Sequence, residues 1–142
     1  MTDVALLRKR LRQAVELAKR DAALRRERAD AARQQFETFL EETATPVFRT
    51  FANALRGEGF PFEVMTPSNA LHLVPERSRD EGIMLELDAL SDPPAVLLSV
   101  TRGRGSRMTR TEQAVKDGAL PEQISAEELE TLLLDAVKPW LG

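Results

Sequence analysis

The first 45 residues of the chain constrain its fold more than any other feature. From Asp3 to Thr45 there is no Gly and no Pro, and the segment is dense in Ala, Leu, Arg, Glu and Gln, the residues that lose least on entering a helix. This composition predicts one continuous helix, about 60 Å long at ~1.5 Å per residue. The remaining hundred or so residues can form a body only about 30 Å across. Part of the helix must therefore overhang that body or pack against another surface.

One face of this helix carries a stripe of small and apolar residues. They recur at spacings of three, four and seven, and they are Leu11, Val15, Ala18, Ala22, Ala29, Phe36 and Leu40. A long heptad zipper is not expected, because large apolar side chains at Val4, Leu7 and Leu11 give way to alanines. We expect close packing in a dimer or bundle, the alternative being a mobile single helix with ion pairs such as Glu16–Arg20. The candidate interface residues are Leu7, Leu11, Val15, Ala18, Ala22 and Ala29.

The charge of the chain is unevenly distributed. Residues 1–35 carry ten Lys or Arg against five acidic residues, a net charge of +5, whereas residues 36–142 carry ten against eighteen, a net charge of −8. A basic segment on an acidic body attracts nucleic acid, an acidic protein partner, or the acidic body of a second copy. The last of these needs the fewest assumptions.

Composition and the chain start set further expectations. With 142 residues, 42% of them hydrophobic and 30% charged, the chain fits one domain with an extension. We divide it into a long amphipathic helical extension at 1–45 and a compact α+β domain at 46–142. It has no Cys and one His, so we expect no metal site and no cofactor. The start resembles no leader sequence and no apolar run reaches bilayer length. We therefore expect a cytoplasmic protein with no membrane partner.

A second helix is expected after the long one. Pro46 cannot donate a helical hydrogen bond, so it should mark a break or a kink. Apolar residues then recur at helical spacing over 46–56, up to a Gly at position 57 that suits a C-terminal cap. Because Phe side chains offer no polar group to orient a ligand, this apolar face predicts core rather than a cofactor site.

The period of the pattern changes to two after residue 60, which predicts strands. Their ranges are 60–65, 70–75, 83–90, 95–101 and, less regularly, 107–115, which is either strand or loop. Short connections favour an antiparallel meander. Ser125 and Glu128 form a capping box that begins the last helix, whose apolar face reaches Leu141. The predicted fold is α+β: a long N-terminal helix, a short second helix, a four- or five-stranded meander and a C-terminal helix packed on the sheet.

The two faces of the predicted sheet differ in composition. The helix-covered face collects Phe60, Phe62, Val64, Leu71, Leu73, Ile83, Leu85, Leu87, Val96, Leu98 and Val100. The opposite face collects Glu63, Met65, His72, Val74, Met84, Glu86, Asp88, Leu97, Ser99 and Thr101. Although these include residue types used in acid–base and nucleophilic catalysis, an open sheet face lacks the dry, concave pocket that catalysis needs. We therefore expect no enzyme active site and interpret this face as half solvated or docked against another chain.

The segment between Thr101 and Arg110 holds the densest basic cluster. Its four arginines, interspersed with Gly, are candidate phosphate or nucleic-acid contacts, namely Arg102, Arg104, Arg107 and Arg110. The segment lacks the Gly-Lys-Ser/Thr ending of a nucleotide-binding loop and has no aromatic residue for base stacking. A charged hairpin turn that discourages edge-to-edge aggregation is the simpler interpretation.

These patterns favour a non-enzymatic binding or assembly protein. It would act through helix-mediated dimerisation or through docking of the long helix on a protein partner. The alternative is a nucleic-acid-associated regulator that uses the basic N-terminal segment and the arginines of residues 102–110.

Overall fold

A computed structural model describes residues 3–142 and has the predicted α+β architecture. The helical segments are α1 (Val4–Phe39), a π-helical turn (Leu40–Ala44), α2 (Thr45–Gly57), a 3₁₀ turn (Pro121–Gln123) and α3 (Ala126–Leu141). The strands are β1 (Phe62–Met65), β2 (Leu71–Pro75), β3 (Gly82–Asp88), β4 (Ala95–Arg104) and β5 (Arg107–Ala114). They form one antiparallel sheet in the order β1-β2-β3-β4-β5. Within residues 3–142 no helix combines the length and the apolar character needed to span a bilayer.

The junction between α1 and α2 differs from the expected break. The backbone stays helical through Ala44 and Thr45, and a π-helical turn comes just before Pro46. There the N–H of Thr45 donates to the carbonyl of Leu40, five residues back. Because Pro46 has no N–H and its ring crowds the carbonyl four residues earlier, the wider turn accommodates it without ending the helix.

The predicted core face of the sheet is confirmed. Leu85 pairs with Leu71 on one side and with Leu98 on the other, so residues of matching parity line up across the strands. All eleven residues predicted for this face belong to the core or pack against it, together with the apolar faces of α2 and α3. The capping box of α3 is present as predicted, with Ser125 Oγ accepting from the N–H of Glu128 at 3.1 Å.

Three local predictions are refined by the structure. The irregular fifth segment is a strand, Arg107–Ala114, although its side chains are almost all exposed. The residue with positive φ after α2 is Gly59, at 91°, rather than Gly57. Leu141 does not continue the buried face of α3, since 42% of it is exposed at the end of the helix.

Only the C-terminal part of α1 contributes to the core. Ala29, Ala32, Phe36 and Phe39 are buried, and Ala44 follows them in the π-helical turn. The division of the chain at residue 45 stays a prediction about folding units. Burial itself begins farther upstream, at Ala29, so the C-terminal third of α1 belongs to the body.

Candidate interaction site

The N-terminal half of α1 extends beyond the body. Every residue from Asp3 to Asp21 is exposed, and we call this segment the arm. The arm begins with a cap in which Asp3 accepts hydrogen bonds from the N–H groups of Ala5 and Leu6, at 3.0 and 3.3 Å. It is about 28 Å long at ~1.5 Å per residue. An apolar face on such a segment has no cover from its own chain.

The arm carries large apolar side chains in contact with solvent. Exposure is 53% for Leu7, 61% for Leu11 and 45% for Val15, and Ala18 on the same face is exposed as well. These four predicted interface residues are therefore available to a partner, and we call them the arm stripe. Ala22 is half-buried and Ala29 is buried against the body, so the last two predicted positions are already partly or wholly covered.

The arm stripe continues a face that is packed farther along the same helix. Spacings of four and seven lead from Leu11 through Ala18, Ala22 and Ala29 to Phe36, which keeps these positions within one face at ~100° per residue. Ala29 and Phe36 at the C-terminal end of this line are buried. The same helix face is thus covered by the body at one end and uncovered at the other.

A second apolar line was not singled out from the sequence. Leu6, Leu17 and Leu24 are each 44–57% exposed, and spacings of eleven and seven place them together, roughly 120–140° around the helix from Leu11. This spacing is visible in the sequence and was the signal that could have revealed the second line. Leu6 and Leu17 give the arm some apolar surface away from the stripe, and Leu24 continues this line beyond the arm, although polar residues interrupt it.

One edge of the arm stripe is basic. Three basic residues and one acidic residue border the surface formed by Leu11 and Val15, namely Arg8, Arg12, Lys19 and Glu16. Over residues 3–21 the arm has six Lys or Arg against three acidic residues. Long basic side chains at the edge of an apolar stripe favour an acidic surface on whatever the stripe contacts.

The base of the arm lies beside the loop between β3 and β4. A cleft of about 510 Å³ separates the helix, from Ala22 to Arg33, from loop residues that include Leu90 and Pro94. Arg28 reaches across it to Asp92, with 3.5 Å between the guanidinium and the carboxylate. Exposed pairs of this kind contribute little to stability, so the orientation of the arm depends mainly on the helix being continuous with its buried end.

The four candidate phosphate-binding arginines do not converge. Arg102 packs over the Trp140 ring, 4.9 Å from its centroid, and its Nε lies 3.7 Å from Glu81. Arg110 pairs with Glu86 and Glu112 at 3.1 and 3.2 Å.

The alternation along β4 and β5 explains this separation. Arg102 and Arg104 follow the core-facing positions of β4, whereas Arg110 pairs with Thr101 on the opposite face. Among the ion pairs of residues 3–142, none involves Arg104 or Arg107, which flank the hairpin turn. Nucleic-acid binding stays a prediction, and these two residues are the best placed to contribute to it.

The second uncovered surface is the sheet face opposite the helices, which we call the outer face. His72 lies directly between Met65 and Met84 in the strand register. Met65 is exposed, Met84 and Leu97 are half-buried, and Met108 is exposed at the β5 end. Val74 and Ser99 on the same face are buried, at 0% and 3% exposure. The outer face is therefore only partly open to solvent, mainly at Met65 and Met108.

Carboxylates surround the apolar centre of the outer face. They are Glu63, Glu86, Asp88 and Glu112. Arg79 lies 3.5 Å from Glu63, and Arg110 serves both Glu86 and Glu112. Two guanidinium groups thus face four carboxylates, which leaves the outer face acidic.

His72 lies flat on the sheet instead of projecting from it. A Cβ on Gly82 would come within 2.6 Å of His72 Nε2, so the absent side chain makes room for the ring. Burial lowers the pKa of His72, which favours the neutral imidazole. Within residues 3–142, His72 included, no group of three or more His, Cys, Asp or Glu side chains is arranged to hold a metal ion.

Comparisons with known proteins add no family to this description. No protein-family model, no curated protein and no solved structure matches the chain.

Proposed function

We propose that the protein is a non-enzymatic assembly protein that acts by docking its N-terminal arm on an acidic protein surface. The observation that supports this most strongly is the exposure of Leu7, Leu11 and Val15 in one line on a helix segment whose residues are all exposed. Burying a large apolar side chain contributes ~1.5–3 kcal/mol. Burial of three such side chains on one face would therefore contribute substantially to the free energy of binding a partner.

Helix stability supports the same proposal. Most of the stability of helices in proteins comes from tertiary packing of an apolar face rather than from intrinsic propensity. The arm packs on nothing in its own chain between Asp3 and Asp21. Docking would bury the arm stripe and hold this segment helical, with Arg8, Arg12 and Lys19 positioned to meet carboxylates at its edge.

Site-specific photocrosslinking in cells that express the protein tests the proposal. A benzoylphenylalanine replaces either Leu11, on the arm stripe, or Lys9, which lies about 160° around the helix from it. We expect a protein adduct from position 11 and little from position 9. Val15→Glu should weaken the adduct because it places a carboxylate in the apolar contact, whereas Gln13→Glu adds the same charge on the opposite side and should leave it unchanged.

Two results would overturn the proposal. Adducts of equal yield from both positions would show that the arm has no specific contact face. An adduct that disappears on nuclease treatment would identify nucleic acid as the partner and favour the alternative function, in which the basic residues of the arm contact phosphates.

A further inference from the structure

We infer that the surface on which the arm docks is the outer sheet face of a second copy of this chain. This inference rests on the proposed function and names its partner. Within residues 3–142, the arm and the outer face both carry apolar side chains in contact with solvent, and their charges are of opposite sign. The arm stripe is apolar with a basic edge, and the outer face is apolar with acidic surroundings.

The two surfaces match in size and shape. Five strands at ~4.8 Å spacing give an outer face roughly 24 Å wide, and the arm is about 28 Å long, so one arm can cross the whole sheet. The centre of the face is formed by side chains of modest height, including Ser99 and the flat ring of His72 over Gly82. Flexible methionines at Met65 and Met84 can adapt to the leucines of a helix.

Charge favours this pairing over contact between two arms. Each arm carries twice as many basic as acidic residues over 3–21, so two arms side by side would bring like charges together. On the outer face, Arg12 and Lys19 would instead meet a surface that includes Glu86 and Glu112 and is acidic on balance. Complementary potentials of this kind select one partner surface over another.

The chain cannot make this contact with itself. α1 is one unbroken helix from Val4 to Phe39, and its residues Phe36 and Phe39 pack in the core on the helix-covered side of the sheet. The arm therefore leads away from its own outer face. Reciprocal exchange of arms between two copies would cover both outer faces and close the assembly as a dimer.

Disulfide trapping tests this inference cleanly because the natural chain has no Cys. A Leu11→Cys chain is mixed with a Met84→Cys chain, or with a Met65→Cys chain if the half-buried position 84 tolerates Cys poorly, and mild oxidation follows. We expect the mixed disulfide to form several-fold faster than that between Leu11→Cys and Leu134→Cys, since docking raises the local concentration of the paired thiols. Leu134 is 59% exposed, on α3, and serves as the matched control.

The outcomes separate this inference from the proposed function. Adding Arg12→Glu to the arm chain should lower the yield of the mixed disulfide if carboxylates of the outer face contribute. A mixed disulfide no faster than the Leu134→Cys control overturns the inference. Leu11→Cys chains that cross-link mainly to each other also overturn it, by showing contact between arms, and they contradict docking on an acidic surface as well. Slow formation of the mixed disulfide without such arm–arm cross-links leaves the proposed function to the photocrosslinking test. Failure of the photocrosslinking test would remove both.

Discussion

At the scale of single residues, the outer face shows how one glycine shapes its surroundings. Gly82 has a φ of 150° and leaves space for the His72 ring, so the imidazole is half-buried although it lies on the uncovered side of the sheet. The alternation of the strand placed His72 on this face from the sequence alone. Its low position on the sheet could not be predicted, because it depends on Gly82 being the diagonal neighbour in the next strand.

The titration of His72 gives a testable pH dependence. Burial lowers its pKa, so below the unfolded value of about 6.5 the unfolded chain binds more protons than the folded chain. We expect stability to fall as the pH decreases from about 7 to 5. His72→Gln should flatten the curve in this window, measured by denaturant unfolding at a series of pH values. An unchanged slope in the variant would show that His72 makes no contribution.

Arg102 lies on the core-facing side of β4, where it contacts Trp140. Its contact with Trp140 follows from the same alternation that places Leu98 and Val100 on the core face, extended by one position. The Gly-rich composition of the segment predicts phosphate binding instead, because it carries no information about this contact. Trp140 in turn packs edge-on against Phe62, with ring centroids 5.8 Å apart.

At the scale of secondary-structure elements, most of the fold could be predicted because apolar periodicity reports burial directly. The core face of the sheet, the meander order and the capping box of α3 all follow from local patterns. The π-helical turn before Pro46 could not be predicted. It depends on packing of Phe36, Phe39 and Ala44 into the core, which keeps the chain helical where proline alone would favour a break.

Element packing predicts contrasting effects of two substitutions. Leu133 on α3 is fully buried in the core, so Leu133→Ala should cost about 2–5 kcal/mol of unfolding free energy. Arg26 on α1 is exposed, and Arg26→Ala should change it by no more than about 0.5 kcal/mol. Urea denaturation of both variants checks this. Equal losses would mean that the base of the arm, rather than α3, holds the body together.

At the scale of the whole molecule, the protein is an acidic body with a basic helical arm whose apolar stripe is uncovered. The sequence predicted the overhang from helix length alone and placed the arm stripe on one face. It could not predict where the body begins to cover the helix, because that depends on tertiary packing around Ala29 and Ala32. Nor could it predict that Arg102 and Arg110 already have partners in the fold.

Sedimentation velocity over a concentration series is the measurement that tests the central claim most directly. It compares the full chain with a chain lacking residues 1–21. This shortened chain keeps the buried residues Ala29 and Ala32, which would be lost if residues 1–35 were removed. We predict a dimer or larger species for the full chain and a monomer with an unchanged cooperative melt for the shortened one. A full chain that stays monomeric up to about millimolar concentration, where even weak self-association registers, would contradict association of copies through the arm.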